Sequence, residues 1–299
     1  MSDTSFRLGN AAHLVLGTAQ FGLGYGIANT GGPVSRGVAA AMLDLAAATG
    51  INKLDTAIAY GNAEARLGEI GIDRFAVVTK LHTPPQGCAN VAQWVAGEVA
   101  SSCARLGVYQ LHGLLLHRPL QLLDAFGADL YRALVDLRTR GVIVKLGISI
   151  YDPDELTQLV GRFHFDLVQA PFNLIDRRLQ TSGWLPRLKD AGVEVHCRSA
   201  FLQGLLLMSL DTRPYKFAPW NMLWQRWQAW LRERNASALQ VSLSFPLAQP
   251  EIDGVVVGAD NLEQLRQIIE AASQPVTGDW PDLACEDLRL VNPTRWTTL

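Results

Sequence analysis

The sequence predicts a single-domain (β/α)8 barrel, and two features of its 299 residues carry that prediction. Eight short runs are apolar almost throughout, and each is too short to be a helix. Segments with helical periodicity separate the runs, and this alternation is typical of buried parallel strands in βα units. Eight such units in a chain of this length fit a (β/α)8 barrel. The predicted strands are 13–17, 51–55, 75–80, 111–117, 142–149, 165–170, 193–197 and 252–258.

The segments between the strands carry the start and stop signals of helices. Ser35 is a favourable N-cap residue, and Gly50 marks the end of the helix that follows it. Asp152 caps another helix, with Pro153 in its first turn and acidic residues placed favourably on the helix dipole. The predicted helices cover 35–49, 90–106, 123–140 and a segment that begins at residue 152.

A doubly wound parallel sheet is the alternative architecture. That fold usually carries a Gly-x-Gly-x-x-Gly pattern after its first strand, where the backbone approaches a phosphate. Gly22, Gly24 and Gly26 follow the first predicted strand, but Ile27 occupies the position of the third glycine. No acidic residue ends a second strand at the spacing expected of a ribose ligand. The barrel is therefore favoured, and the glycine run is interpreted as a flexible loop.

The longest gap between predicted strands, residues 198–251, contains four regularly spaced tryptophans. Their helical spacing places all four indoles on one face, which predicts an extra helical insertion at about 205–235, before the last strand. Such a stripe is typical of a core face that fixes the helix to the barrel, and an aromatic wall over a site or an interface is the alternative. A C-terminal tail at about 275–299 either covers the site or docks on the barrel. The tryptophans are Trp220, Trp224, Trp227 and Trp230.

Composition and charge exclude several classes of protein. The chain is 48% hydrophobic and 18% charged, so it can bury a large core and is not intrinsically disordered. A net charge of −2 lacks the basic surplus of a nucleic-acid-binding protein. No apolar run reaches the roughly 18 residues of a membrane span, and the first residues lack the pattern of a signal peptide. The four cysteines lack metal-ligand spacing, so we expect a reduced, cytoplasmic protein, whose oligomeric state the sequence leaves open.

Polar side chains end several of the predicted strands. In a (β/α)8 barrel the chemistry lies at the carboxyl ends of the strands, and a charge at the end of a buried strand is costly unless it is paired. Each such residue has a structural explanation when taken alone, but together they form a candidate acid–base set. Tyr60 follows the second strand by five residues. The strand-end residues are Asp55, Lys80, His117, Ser149, Gln169 and Arg198.

Four of these residues can act together on a carbonyl group. Tyr60 has an ordinary pKa near 10 and can donate its proton at neutral pH, and a neighbouring Lys80 is expected to lower that pKa. Asp55 pairs with Lys80 and keeps it charged, while His117 orients a carbonyl oxygen beside the phenol. This set protonates an oxyanion while another group attacks the carbonyl carbon, and a hydride is the attacking group that fits.

The same residues resemble the aldo-keto reductase pattern. The resemblance extends from Leu14 to about Ile269 and implies a (β/α)8 fold and a catalytic tetrad of Asp55, Tyr60, Lys80 and His117. It also implies reduction of a small-molecule carbonyl, or oxidation of an alcohol, with NADPH or NADH and without a metal. The motifs are Leu-Gly-Thr-Ala-Gln at 16–20, Leu-Asp-Thr-Ala-Ile-Ala-Tyr-Gly at 54–61, Val-Thr-Lys at 78–80, Leu-Leu-His-Arg-Pro at 115–119, Leu-Gly-Ile-Ser at 146–149 and Val-Gln-Ala-Pro-Phe-Asn at 168–173.

The resemblance also implies a set of cofactor contacts. In the family a Ser-Asn pair and a Gln hold the nicotinamide amide, but Ile150 stands here in place of the asparagine. Arg198 stands where a tyrosine usually stacks on the nicotinamide, and it either stacks through its guanidinium plane or contacts a phosphate. The expected cofactor-binding residues are Gly17, Thr18, Gln20, Ser149, Gln169, Arg198, Ser199, Leu202, Gly258, Asp260, Asn261 and Gln264.

The choice between the two dinucleotides depends on Asp260. Many relatives carry Lys or Arg there, which pairs with the 2′-phosphate of NADPH. A carboxylate repels that phosphate but accepts a hydrogen bond from a free 2′-hydroxyl, so Asp260 favours NADH. The resemblance to the family, by contrast, favours NADPH. In either case the helix that begins after Gly258 is expected to receive phosphate through backbone N–H groups, with Gln264 near the adenine.

Two other functions compete with a reductase. A metal-dependent barrel is disfavoured because none of the six histidines has His-x-His or His-Glu-x-x-His spacing. A catalytically silent dinucleotide-binding sensor or scaffold on the same fold is the remaining alternative. The stretches at 16–29 and 198–207 are similar to those of family members from bacterial surface-polysaccharide pathways, which suggests a sugar-derived carbonyl substrate.

Overall fold

Eight parallel strands close into one barrel in the computed structural model, which describes residues 11–27, 29 and 31–298. Consecutive strands pair with each other, and β8 returns to pair with β1. The predicted (β/α)8 barrel is confirmed, and the doubly wound sheet is wrong. The strands are β1 Leu14–Gly17, β2 Lys53–Asp55, β3 Ala76–Leu81, β4 Leu111–Leu116, β5 Ile143–Ser149, β6 Leu167–Pro171, β7 Glu194–Arg198 and β8 Gly254–Val257.

The strand bounds lie within two residues of the predicted ones at both ends. The apolar runs were reliable because strands covered by helices outside and by core side chains inside are apolar on both faces. Every residue of β1 and β6 is buried. Residues 1–10, on which the expectation about a signal peptide rests, lie outside the described residues. No helix in the described part of the chain is both long and apolar enough to cross a membrane.

Helices connect the strands and cover the barrel. The α-helices are α1 Ala19–Gly22, α2 Arg36–Ala48, α3 Ala63–Ile70, α4 Val91–Leu106, α5 Gly127–Thr139, α6 Asp154–Leu159, α7 Arg178–Thr181, α8 Trp184–Asp190, α9 Asn221–Arg234, α10 Ala238–Leu247, α11 Leu262–Ser273 and α12 Leu288–Val291. Short 3₁₀ segments lie at Ala11–His13, Pro119–Leu123, Leu202–Leu207, Tyr215–Trp220 and Pro293–Thr298.

The helix signals of the sequence hold with two corrections. The Ser35 hydroxyl accepts from the Val38 N–H, so this predicted cap is present. The cap predicted at Asp152 is wrong, because α6 begins at Asp154 with Pro153 as its N-cap residue and without a side-chain cap. The helix predicted over 123–140 is wrong at its start, because a 3₁₀ segment comes first and α5 begins at Gly127. A Cβ at this glycine would lie 2.0 Å from a backbone oxygen of the preceding turn. Helix α5 therefore begins where only glycine fits.

The tryptophan stripe belongs to the core of the segment between β7 and β8. Trp224 and Trp227 are fully buried, and their indole N–H groups donate to the carbonyl oxygens of Phe217 and Leu206 at 3.1 and 3.0 Å. The buried Trp296 of the C-terminal tail meets the Phe217 ring edge to face, with 4.8 Å between ring centroids. The stripe and the described part of the tail thus fix the insertion in place, as the core explanation predicted.

Glu194 closes the amino-terminal end of the barrel with a cluster of basic side chains. Its carboxylate accepts hydrogen bonds from Lys53 at 2.7 Å and from Lys145, and it lies 2.7 Å from Nε2 of the buried His196. Burial acts to raise the pKa of Glu194, but hydrogen bonds from these residues and from His112 outweigh it and hold that pKa far below its ordinary value of 4.5. The ionised carboxylate therefore stabilises the folded state.

We expect Glu194→Gln to lower the free energy of unfolding at pH 7 by about 2 kcal/mol, because Lys53 and Lys145 lose their counter-ion. Below pH 4.5 the unfolded chain takes up a proton at this position and the folded wild type does not, so the difference between the two proteins narrows as the pH falls. Urea unfolding followed by circular dichroism at pH 7 and pH 4 measures both effects. The matched control is Glu233→Gln at an exposed carboxylate, and equal stability of the two variants would contradict the prediction.

Candidate active site

The carboxyl ends of the strands bring most of the predicted polar residues to one cavity. The pairing register places Gly17 beside Asp55, and Ser149 beside Gln169, at the same mouth of the barrel. A cavity of about 350 Å³ opens there and reaches the start of α11. Ten of the predicted residues line it: Gly17, Gln20, Asp55, Tyr60, Gln169, Arg198, Ser199, Gly258, Asp260 and Gln264.

The other predicted residues lie behind or beside the cavity wall. The buried Thr18 hydroxyl donates to the Asp55 carbonyl oxygen at 3.0 Å and so braces β1 against β2. Leu202 is fully buried among apolar side chains. The Asn261 side chain caps α11 by accepting from the Gln264 N–H at 2.9 Å. These three of the expected cofactor contacts do not line the cavity.

A buried ion pair is the centre of the site. Nζ of Lys80 donates to Oδ2 of Asp55 at 2.6 Å and to the Thr56 carbonyl oxygen at 2.9 Å, and both charged side chains are buried. Burial lowers the pKa of Lys80, whereas the negative charge of Asp55 opposes that shift. The Gln169 amide donates to Oδ1 of Asp55 at 2.6 Å and accepts from the Ser149 hydroxyl at 3.3 Å. Side chains from four strands thus form one hydrogen-bonded chain.

Tyr60 lies over this ion pair. Its hydroxyl oxygen is 3.5 Å from Nζ of Lys80, and that ammonium group is 5.0 Å from the centroid of the phenol ring. Burial, followed by the negative charge of Asp55, raises the pKa of Tyr60 well above its ordinary value of 10, although Arg198 opposes the shift. The net shift is upward, so the expectation of a lowered pKa for Tyr60 is wrong. The phenol is protonated at neutral pH and is available as a proton donor.

His117 stands beside Tyr60 as a neutral imidazole. The two rings meet edge to face, with 6.1 Å between their centroids. Burial and the positive charges of Lys80 and Arg198 lower the pKa of His117 to about 4. A neutral imidazole next to a protonated phenol offers a second hydrogen-bonding group to an oxygen atom bound between them.

Two glycines hold the backbone that carries Tyr60. Gly22 ends α1, and a Cβ there would lie 1.9 Å from the Tyr60 carbonyl oxygen and 2.7 Å from the Ala63 backbone nitrogen. Gly61 has a φ of +56° and faces the Gly22 carbonyl oxygen. The interpretation of the glycine run as a flexible loop is therefore wrong at Gly22, which is required for close contact between two backbones.

Glu64 is a supporting residue that sequence reasoning missed. It lies one turn after Tyr60, on α3, and is buried. It accepts hydrogen bonds from the hydroxyls of Thr79 and Ser102, both at 2.7 Å, and from the Arg105 guanidinium at 2.6 Å. Because Thr79 directly precedes Lys80, Glu64 ties the strand that carries the lysine to the helix that follows the tyrosine. Its partners Ser102 and Arg105 are distant in the chain, so no local sequence signal indicated this role.

The loop after β1 contributes a wall of the cavity that the sequence did not indicate. The Asn29 amide donates to the Asp260 carboxylate at 2.7 Å, so this loop reaches across to the start of α11. The Gln203 amide lies 3.5 Å from the Tyr25 hydroxyl, which joins the same loop to the segment after β7. Asn29, Tyr25 and Gln203 all line the cavity. No local pattern predicts such contacts between segments far apart in the chain.

Arg198 takes an unusual position at the end of β7. Its guanidinium carbon lies 4.5 Å from the centroid of the Tyr151 ring. One amino group donates to the Ile150 carbonyl oxygen at 2.9 Å, and the other to the Ser199 hydroxyl at 3.3 Å. Arg198 thus stacks on the residue that follows Ile150, the position where the sequence departs from the family pattern.

Comparison with known proteins shows which family this chain belongs to. A closed (β/α)8 barrel with polar residues gathered at its carboxyl mouth is the architecture of barrel enzymes. The model of the aldo/keto reductase family matches residues 13–279, so the chain belongs to the aldo/keto reductase family. It is therefore an oxidoreductase. Among the described residues, no three His, Cys, Asp or Glu side chains are grouped so that they could hold a metal ion.

Several relatives share most of the chain. A D-threo-aldose 1-dehydrogenase from Pseudomonas sp is 29% identical over 305 residues, which cover 88% of this chain and 92% of that protein. An L-glyceraldehyde 3-phosphate reductase from Escherichia coli K12 is 25% identical over 267 residues, with 74% and 75% covered. The holo form of an aldo-keto reductase from Bacillus halodurans superposes with a TM-score of 0.69 at 21% identity, covering 89% of this chain and 88% of that one.

We expect Gly22→Ala to lower the free energy of unfolding by about 1–3 kcal/mol, because the added Cβ forces the Tyr60 and Gly22 backbones apart. The matched control is Gly31→Ala in the same loop, where a Cβ meets no atom within 4 Å. Urea unfolding of the two variants and the wild type measures the difference. If Gly22→Ala is as stable as Gly31→Ala, the close contact does not exist in solution.

Proposed function

We propose that the protein reduces a small-molecule aldehyde or ketone to the alcohol with NADPH or NADH, and that Asp55, Tyr60, Lys80 and His117 carry out the proton chemistry. The observation that supports this proposal most directly is a protonated phenol held over a buried Lys80–Asp55 pair at the wall of a cavity. The names of the relatives, an aldose dehydrogenase and a reductase of a phosphorylated sugar aldehyde, support a sugar-derived carbonyl compound as substrate.

The residues around the cavity fit a dinucleotide. Gly258 and Gln20 both line the cavity, and a Cβ at Gly258 would lie 2.5 Å from the Gln20 side-chain amide, so only glycine fits where this amide packs on the backbone before α11. Helix α11 begins beside it, and the N-terminus of a helix binds phosphate through free backbone N–H groups. Gln169 and Ser149 would hold the nicotinamide amide, and Gln264 would face the adenine.

The chain's own groups would manage the proton and the orientation of the substrate. When bound, the dinucleotide supplies a hydride to the carbonyl carbon. The Tyr60 hydroxyl donates a hydrogen bond to the carbonyl oxygen and then transfers its proton to that oxygen as negative charge develops there. The Lys80 ammonium stabilises the phenolate left behind, and water returns a proton to it. Neutral His117 fixes the carbonyl oxygen against the phenol.

Asp260 supports NADH as a cofactor alongside NADPH. Its carboxylate lines the cavity at the start of α11 and already accepts a hydrogen bond from Asn29. A 2′-phosphate placed beside this carboxylate would be repelled, whereas a free 2′-hydroxyl could donate to it. We therefore propose that discrimination in favour of NADPH is weakened in this protein.

Replacing Tyr60 by Phe tests the proton donor. We expect Tyr60→Phe to lower kcat/KM for carbonyl reduction by at least about 100-fold, because the general acid is lost, while the Kd for the dinucleotide changes by less than about twofold. The assay is dinucleotide oxidation with a panel of aldehydes that includes small aldoses. Tyr131→Phe is the matched control, since its hydroxyl contacts the His164 backbone and lies outside the cavity.

Two outcomes of that assay would contradict the proposal. Activity of Tyr60→Phe within a few fold of wild type would show that another group is the acid. Tight binding of a dinucleotide by the wild type, with no turnover of any carbonyl compound, would identify the protein as a silent dinucleotide-binding sensor or scaffold.

Replacing Asp260 by Asn tests the choice of dinucleotide. We expect the wild type to use NADH and NADPH with comparable kcat/KM, and Asp260→Asn to raise the efficiency with NADPH by about tenfold relative to NADH, since a negative charge beside the phosphate is removed. Glu263→Gln removes the same charge from an exposed position on α11 and serves as the control. A strong wild-type preference for NADPH would contradict this prediction.

A further inference from the structure

Arg198 places a positive charge without a carboxylate partner beside the candidate acid–base set. Among the described residues that line the cavity, three carry a charge: Asp55, Arg198 and Asp260. Asp55 is neutralised by Lys80, and Asp260 is hydrogen-bonded to Asn29 at the start of α11. Asp260 keeps its negative charge, since an amide does not neutralise it, and Arg198 is the cavity charge that acts on Tyr60 without an ion-pair partner.

The surroundings of Arg198 confirm that it is not ion-paired. Its hydrogen bonds go to the Ile150 carbonyl oxygen and the Ser199 hydroxyl, and its face lies on Tyr151. No Asp or Glu carboxylate among the described residues lies within ion-pair distance of its guanidinium group. The charge also acts on the site itself, since it contributes to lowering the pKa of His117 and opposes the upward shift at Tyr60.

The nearest acidic residues of the loop after β5 are engaged elsewhere. Oε1 of Glu155 accepts from the backbone N–H groups of Tyr151 and Asp152, at 2.7 and 2.9 Å. Asp152 forms an ion pair with Arg178 at 2.5 Å. These contacts hold Tyr151 in place as the platform under Arg198. Burial raises the pKa of Glu155, and the positive charge of Arg198 is among the influences that oppose this shift, but Glu155 forms no ion pair with Arg198.

This charge has a consequence if the proposed function is correct, and the inference rests on that function. Reduction of a carbonyl takes a hydride, which consists of two electrons and one proton, from a neutral dihydronicotinamide ring. The transfer leaves that ring with a charge of +1. The alcohol oxygen takes its other proton from Tyr60. The only component of the reaction that becomes a cation is therefore the ring. With Ser149 and Gln169 holding its amide, the ring would lie near Arg198, whose guanidinium donates to the carbonyl oxygen of the adjacent Ile150.

We propose that Arg198 makes the site bind the reduced dinucleotide more tightly than the oxidised form. Two positive charges at contact distance, here Arg198 and the oxidised ring, repel each other. Even in water this repulsion lowers the affinity for the oxidised dinucleotide at least about fivefold, and in a partly enclosed cavity the effect is larger. The neutral reduced ring suffers no such repulsion. Arg198 is thus a determinant of cofactor redox state, in place of the neutral tyrosine that the family pattern has at this position.

The difference in affinity sets the potential of the bound dinucleotide. Each tenfold preference for the reduced form raises the two-electron midpoint potential by about 30 mV. The bound oxidised form becomes a stronger oxidant, and the equilibrium among bound species moves toward reduced dinucleotide and carbonyl compound. Arg198 therefore favours alcohol oxidation on the enzyme more than a neutral residue would.

Binding measurements on the full chain test the proposal without turnover. Isothermal titration gives Kd values for NADH, NAD⁺, NADPH, NADP⁺ and ADP-ribose, which lacks the nicotinamide ring. We expect the wild type to bind the reduced form at least about fivefold more tightly than the oxidised form, for whichever pair it binds. Arg198→Gln should bring this ratio close to one, and Arg198→Lys should retain most of it because the charge remains.

A matched control and ADP-ribose separate the possible outcomes. Arg187→Gln removes an arginine that lies 3.8 Å from the Trp184 ring, outside the cavity, and should leave the ratio unchanged. An equal loss of affinity for all ligands, ADP-ribose included, in Arg198→Gln would assign Arg198 to a phosphate and overturn the inference. An unchanged ratio would overturn it as well. If no dinucleotide binds to the wild type, the proposed function itself is wrong.

Discussion

The buried ion pair between Asp55 and Lys80 is the interaction on which the site depends. A lone ammonium group in the barrel interior would be strongly disfavoured, and Lys80 is tolerated because a carboxylate and a backbone carbonyl oxygen lie within 2.9 Å of its Nζ. The second oxygen of Asp55 is taken by Gln169, so the pair also joins β2 and β3 to β6 across the barrel mouth. Removal of one partner would leave an unpaired charge in the core.

The two ends of the barrel balance their charges differently. At the amino-terminal end, Glu194 is surrounded by two lysines and two histidines, and its contacts serve stability. At the carboxyl mouth, Asp55 and Lys80 cancel each other, and Arg198 is left without a carboxylate. The unpaired charge of Arg198 therefore lies at the cavity, where a ligand can contact it. The paired charges around Glu194 lie at the opposite end, where they close the barrel.

The family match defines the class of chemistry, and departures from the family pattern define what is particular to this chain. The four residues of the proposed tetrad lie together at the barrel mouth, and the backbone of Tyr60 is in close contact with Gly22. Ile150, Arg198 and Asp260 depart from the pattern, and the latter two line the cavity. The residues that follow the family pattern are those proposed for proton transfer, and the departures lie among residues proposed to contact the dinucleotide.

The sequence alone determined the fold and singled out the four residues of the proposed tetrad. Strands buried on both faces must be apolar throughout, so their number and spacing can be read directly, and a charged residue at the end of such a strand stands out. The tryptophan stripe was also readable, because helical spacing places its members on one face whether or not the packing partner is known.

Only the tertiary structure decided how the cavity is bounded and charged. Glu64, Asn29 and Tyr151 act through partners that are distant in the chain or through stacking, and no local pattern reports such contacts. The upward pKa shift of Tyr60 likewise follows from burial and from Asp55. Sequence periodicity indicates which face of a helix or strand is covered. The burial and the charge of a cavity depend on residues from many elements at once, so these two properties are fixed only when the barrel closes.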